Sequence, residues 1–225
     1  MRGPHNILRL IRTGATLERT GAMPVILNAL DAPKTLKFAT RLVVWPFQFL
    51  GRKGDQSLPA APRALTAMGP AYIKFGQILS TRPDVVGQEL ADQLRVLQDK
   101  LPPFSTEVAK QSFKAEIGID ADDVFSAFSE PVAAASIAQV HRGQLRDTGQ
   151  NVAIKVLRPE IERAFKRDID TFYFAAWLVE IVSPKSRRLK PMDVIAHFDG
   201  VVRGELDLRL ESASASEFLA NISKD

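Results

Sequence analysis

Val152-Ala153-Ile154-Lys155 places one lysine inside an alternating apolar run. A strand of this kind holds an ammonium at a fixed point. The α- and β-phosphates of a nucleotide need such a point, and a helix carboxylate must keep the lysine there. Four letters alone also describe an ordinary strand with one solvated lysine. Ala133-Ala134-Ala135-Ser136 begins 22 residues before Lys155, where a phosphate-covering hairpin belongs. Methyl groups still let backbone N–H groups approach an anion. Alanine resists the positive φ angles that glycine adopts, so the loop should be stiff. A packing corner of small residues is the alternative reading of the same letters. The candidate partner carboxylates are Glu205 and Asp207, both expected on the last helix of the chain. There Arg203 with Asp207, or Glu205 with Arg209, would equally make i,i+4 pairs on a solvated face. Phe198-Asp199-Gly200 reads FDG, not the DFG of a magnesium site, and His141-Arg142-Gly143 is not a catalytic HRD.

Other chemistry is narrowed by composition. The chain has no cysteine, which removes disulfides, thiolate nucleophiles and zinc ribbons. Histidines 5, 141 and 197 are too scattered for a local metal site, and none is expected. Residues 1–58 hold nine Lys or Arg against three Asp or Glu, whereas the remainder holds 21 against 23. A basic excess confined to one end points to an anionic surface, with a solvated basic face as the plainer alternative. No recognisable nucleic-acid reader accompanies it, so no nucleic-acid partner is expected. Val43-Val44-Trp45-Pro46-Phe47 lies in this segment, and aromatic rings beside basic residues suit a headgroup boundary. Packing of those rings on the main domain is the competing expectation. No run of about eighteen uncharged apolar residues is present, and Met1–Gly21 lacks the pattern of a secretory signal.

The elements that must position these residues are legible in outline. Leu65, Met68, Tyr72, Phe75 and Leu79 predict one helix with one apolar face, broken at Thr81-Arg82-Pro83-Asp84, where Asp84 can cap the next helix. That second helix carries Leu90, Leu94, Leu97 and Leu101. Ser105 caps a third that ends at Gly118, and Asp120 a short fourth that presents Val124, Phe125 and Phe128. From Glu130-Pro131 the pattern turns to strands: Ile137–His141 and Val152–Val156 flank Asp147-Thr148-Gly149-Gln150 as a hairpin. Two long helices come next, about 161–182 and 192–220, separated by the basic loop at 184–188.

With these segments in order, the sequence resembles the UbiB family of atypical kinase-like proteins, which supports ubiquinone biosynthesis. Lys74-Phe75-Gly76-Gln77 matches that family's KxGQ signature. Leu97-Gln98-Asp99-Lys100-Leu101-Pro102-Pro103, the alanine run, Val152–Lys155 and Glu205-Leu206-Asp207, as ExD, come after it in sequence. The resemblance implies an α+β fold: an atypical protein-kinase-like N-lobe, with a small antiparallel sheet and an αC-like helix, preceded by a helical KxGQ extension. It divides the chain into a basic, aromatic, membrane-peripheral segment (1–58), the KxGQ extension (59–128) and the N-lobe (129–225), with the C-lobe absent. Ala133, Ala134, Ala135 and Ser136 would cover nucleotide phosphates, Lys155 would contact them, and Glu205 would hold Lys155. Lys74, Gln77 and Asp207 would serve a pocket-covering, regulatory role. ATP or ADP with Mg2+ is the implied cofactor, although no catalytic residue and no magnesium ligand of the family falls within these residues. The implied activity is that of an ATPase or a kinase of small or lipid-like molecules. The alternative is a truncated, non-catalytic module that binds membrane lipid or pathway proteins. The label 2-polyprenylphenol 6-hydroxylase, carried by some members, would need a flavin or metal, for which no motif is present. Implied partners are ubiquinone-biosynthesis proteins, polyprenyl-lipid intermediates and an anionic membrane surface. The implied place is peripheral, on the cytoplasmic face of the inner membrane.

Overall fold

A computed structural model describes residues 4–29, 32–98, 102–182 and 190–222. The chain forms two compact units, Arg2–Asp168 and Ile169–Asp225. Asp99, Lys100, Leu101 and the basic loop at 184–188 lie outside the described residues.

The first unit opens with helices α1 (Pro4–Arg19), α2 (Ala22–Ala29) and α3 (Lys34–Val44), then a 3-10 turn at Trp45–Leu50. The single helix expected across Leu65–Leu79 is two: α4 (Ala60–Met68) and α5 (Pro70–Ser80). Gly69 sits between them at φ 125°, a conformation outside any helix, and Pro70 supplies a residue that needs no N–H in the first turn. Short α6 (Pro83–Val86), α7 (Gln88–Leu94) and a 3-10 turn at Arg95–Gln98 complete this bundle. Its core is Ala61, Ile73, Val86, Leu90, Ala91, Leu94 and Leu97. Asp84 caps nothing; it lies inside α6, and its carboxylate takes the Arg82 guanidinium at 2.7 Å. Ser105 does cap α8 (Thr106–Ile117), its hydroxyl accepting from the Val108 N–H, and Gly118 ends that helix at φ 81°.

The fourth expected helix stops early. α9 covers only Ala121–Val124, and Phe125, read as helical from its spacing to Phe128, starts strand β1 (Phe125–Ala134). β2 (Ala138–Leu145) and β3 (Asn151–Leu157) complete an antiparallel sheet of order β1-β2-β3. β1 is an edge strand with register breaks on both sides of Pro131, which is where a residue without an N–H is tolerated. One face of the sheet buries Phe125, Ile154 and Val156 with Ala109 of α8 and Ala121 of α9. Phe113 and Phe125 meet edge to face at 5.4 Å.

Helix α10 (Ile161–Val182) begins in the first unit and continues into the second, which adds α11 (Pro191–Leu206) and α12 (Leu208–Ile222). Within that unit Phe172 and Phe198 are in ring contact at 5.8 Å. Among the described residues no helix is long and apolar enough to cross a membrane.

Candidate functional site

The sheet register decides which residues share a face. Ala133 pairs with Val140, and Val140 pairs with Lys155, so these three form one row across all three strands. Cross-strand partners point the same way, and adjacent strands lie about 4.8 Å apart, so the row spans roughly 10 Å of backbone. Ile154 and Val156 on either side of Lys155 are buried, whereas Lys155, Ala153 and Ala133 are exposed. Lys155 therefore stands on the open face, with Val140 and Ala153 as small apolar neighbours. Motif reading includes Ala153 only as a letter beside Lys155 and does not single out Val140. The signal available for them is the alternation of Val152–Val156 itself.

The alanine run is divided by its position in the hairpin. Ala133 and Ala134 end β1, and Ser136 and Ile137 form the tip. Ala135 N–H donates to the Ala138 carbonyl at 2.8 Å, closing the turn and committing one backbone donor that was expected to approach an anion. Ser136 and Ile137 are buried. The tip is braced by Arg158, just past β3. Its Nε and one terminal nitrogen donate to the Ala135 carbonyl at 3.1 and 3.0 Å, and the same terminal nitrogen reaches the Pro102 carbonyl at 2.9 Å. The Arg158 backbone N–H donates to the Ile137 carbonyl at 2.8 Å, and its guanidinium lies 5.6 Å from the Phe104 ring centre. Partial burial pulls Arg158 below its ordinary pKa.

Behind the row lies a closed polar network. Gln139 is 1% exposed, and its side-chain oxygen accepts from the Phe104 N–H at 3.0 Å. Its amide nitrogen donates to the Phe104 carbonyl at 3.1 Å and to His141 Nε2 at 2.9 Å. His141 Nδ1 faces the Ser129 carbonyl at 2.8 Å. A carbonyl only accepts, so Nδ1 carries the proton and Nε2 is the acceptor. This buried pair holds β2 to the segment ahead of α8. Sequence reasoning misses Arg158, Gln139 and His141 as a network, because the contacts that fasten it to the segment ahead of α8 join residues 35 and 56 positions apart.

The KxGQ residues sit on α5. A Cβ on Gly76 would lie 2.5 Å from Leu97 Cδ1 and 2.6 Å from Leu65 Cδ1, so a larger residue there would have to displace both leucine tips. The Gln77 amide donates to the Leu97 carbonyl at 2.6 Å, tying α5 to the 3-10 turn. Lys74 is half-buried on the same helix. Tyr72, one turn ahead of Gly76, shares a hydrogen bond with the Thr13 hydroxyl at 3.0 Å, and burial pushes its pKa up to about 12.

Glu205 is half-buried near the end of α11, in the second unit. Asp207 is not on the same helix, as the spacing had suggested. It ends α11, and its carboxylate takes the Arg209 guanidinium at 2.8 and 2.9 Å and the Arg209 N–H at 3.1 Å. A short acidic side chain that captures a backbone N–H two residues on competes with the helix, and here it divides one expected helix into two. The Arg209 hydrogen bonds hold Asp207 below the ordinary carboxylate range. Arg203 pairs backward with Asp199 at 2.7 Å, not forward with Asp207. Among the described residues, no group of three His, Asp or Glu side chains could hold a metal ion.

Residues 96–225 match the ABC1 atypical kinase-like domain. Over 159 residues the chain is 44% identical to a protein of Aliivibrio fischeri (strain MJ11) described as "Probable protein kinase UbiB", covering 70% of this chain and 29% of that one. A protein of the same description from Azotobacter vinelandii is 41% identical over 180 residues, 78% of this chain and 33% of that one. A Pseudomonas aeruginosa (strain LESB58) relative, again so described, is 43% identical over 159 residues, 70% and 30%. The chain thus spans about a third or less of the length of these curated relatives.

Proposed function

The chain belongs to the ABC1 atypical kinase-like family and resembles its UbiB members, and from that premise we propose that the open face of its sheet receives ATP or ADP. Lys155 meets the phosphates, the hairpin of Ala133, Ala134, Ala135 and Ser136 covers them, and Val140 with Ala153 gives the base an apolar floor. By its resemblance to the family's ExD motif, Glu205 takes the role of the carboxylate partner of Lys155. Lys74 and Gln77 belong to the helix that covers the pocket, with Asp207 setting where α11 ends. The observation that carries this reading is the row Ala133–Val140–Lys155, which puts the lysine and the hairpin strand on one face.

The whole protein is then a UbiB-type ATPase, or a kinase of small or lipid-like molecules, that supports ubiquinone biosynthesis. Ubiquinone-biosynthesis proteins and polyprenyl-lipid intermediates are its partners. It lies peripherally at the cytoplasmic face of the inner membrane, against anionic lipid. Mg2+ would neutralise the nucleotide phosphates when bound. The described residues offer no metal cluster that fits it, so no step runs through it. What these residues do is bind, orient and cover.

Calorimetric titration of the chain with ADP tests the reading. Lys155→Ala should weaken binding about tenfold or more, since a charge-assisted contact to phosphate is lost. Glu205→Ala should weaken it less. Unchanged affinity in Lys155→Ala would remove the lysine from its role.

A further inference from the structure

α3 and the following 3-10 turn present an unusual surface. Phe38 is 70% exposed, Trp45 65% and Phe49 74%, with Leu42 and Val43 also exposed. Phe38, Leu42 and Trp45 recur at spacings of four and three, and together with Arg41 they line an open groove of about 220 Å3. From Ala32 to Gly54 the sequence holds Lys34, Lys37, Arg41, Arg52 and Lys53 and no acidic residue.

The end of the turn that carries Trp45 and Phe49 is pinned to α1. Gly51, which ends the 3-10 turn, lies so close to α1 that a Cβ there would collide with the Ala15 carbonyl oxygen. Arg19 donates to the Gly51 carbonyl at 2.7 Å, and the Arg52 N–H donates to the Thr16 hydroxyl at 3.1 Å. The turn is thereby fastened at its far end, and Trp45 and Phe49 within it stand in solvent.

We propose that this surface is a built membrane-insertion site: Phe38, Leu42, Trp45 and Phe49 enter the headgroup boundary of an anionic bilayer while Lys34 and Arg41 meet its phosphates. Charge complementarity selects lipid, because a stripe of rings whose charged neighbours from Ala32 to Gly54 are all cations matches an apolar layer bordered by anions. The proposal rests on the peripheral placement above and specifies which residues accomplish it and by what mode. Insertion is distinct from adsorption of the basic segment as a whole, which would need no ring to leave water.

The sequence contains two tryptophans, Trp45 and Trp177. In a Trp177→Phe background the full chain reports Trp45 alone. Vesicles of phosphatidylcholine with roughly one-third phosphatidylglycerol should sediment the protein, shift Trp45 emission to shorter wavelength and, with brominated acyl chains, quench it. Vesicles of phosphatidylcholine alone should do so far less. Phe38→Ser with Phe49→Ser should weaken partitioning about tenfold or more. Lys34→Glu with Arg41→Glu should weaken it by a similar factor. Both pairs are exposed, so an unchanged melting temperature separates lost binding from lost folding. Sedimentation with no change in Trp45 emission, and no effect of either pair, would overturn this surface and leave the peripheral reading standing. Failure to sediment with any vesicle would overturn both. Equal partitioning to neutral and anionic vesicles would overturn the charge selection. Self-association that Phe49→Ser abolishes, without vesicle binding, would give the surface to a second copy of the chain. Lys155→Ala should leave every one of these readouts unchanged, so the outcome is independent of the nucleotide reading.

Discussion

The two hairpins of the sheet are closed by different means. The β2–β3 turn uses its own residues: Gly149 adopts φ 69°, its N–H and the Leu145 N–H close the loop with Leu145 and Gln150 carbonyls, and the Asp147 carboxylate takes the Thr148 N–H. Its residues are exposed. The β1–β2 turn has no glycine, buries its two tip residues and is braced from outside by Arg158, while the strand leaving it is anchored through Gln139 to Phe104. A turn that supplies its own φ angles and hydrogen bonds can form early and alone. The turn after the alanine run has its shape fixed by distant partners, which limit its freedom in the folded chain. Rigidity at that position suits a loop that covers a ligand without having to order itself on binding.

The comparison can be broken most severely at Gln139. Gln139→Ala would leave the Phe104 N–H and carbonyl unpaired inside the protein and open a cavity, so a loss of about 3 kcal/mol is expected in urea unfolding. A midpoint equal to that of the parent chain would mean that the alanine hairpin does not depend on this anchor. Arg158→Ala removes charge-assisted bonds to two carbonyls and should cost about 2 kcal/mol. Amide exchange at Ala135 and Ile137 should accelerate while that at Gly149 stays as it was. Equal acceleration at both turns would contradict the distinction drawn between them.

The smallest effects come from exchanging the two chemistries. Gly149→Ala forces a side chain into a positive-φ position and should cost about 1 kcal/mol, with nucleotide affinity unaffected. Ala135→Gly should cost about 0.5–1 kcal/mol through backbone entropy, and it should alter the preference between ATP and ADP by loosening the covering loop. An identical nucleotide profile would argue that the hairpin never touches phosphate.

The same contrast explains which parts of the fold can be read from the chain. Asp147–Gln150 is identifiable as a turn, and Ser105 and Gly118 as the two ends of α8, because each acts through bonds to residues within four positions. β1 escapes such a reading because Phe125 and Phe128 are spaced like a helical face, and the partner that makes the segment a strand lies at Gly143–Leu145. The break at Gly69 is missed too, because an apolar stripe continues across it, although the Gly69-Pro70 pair itself ends the helix, Gly69 taking φ 125° and Pro70 offering no N–H. In the candidate site, Lys155 and the alanine run are visible as types and spacing. Their placement in one cross-strand row comes from register, and Val140 and Ala153 enter with it.

Local chemistry along the chain therefore determined the Ser105 cap and Gly118 stop of α8, the polar turn, the strand carrying Lys155 and the basic, aromatic character of the first 58 residues. Those features depend on side-chain type and on neighbours a few residues away. Tertiary structure alone decided that Arg158, Gln139 and His141 brace the alanine hairpin, that Gln77 secures α5 to the turn after α7, and that Gly51 packs against the Ala15 carbonyl. Most of these join residues 20 to 56 apart through one short polar contact or one missing Cβ. Such contacts are set by how elements pack, and no periodicity or composition records them.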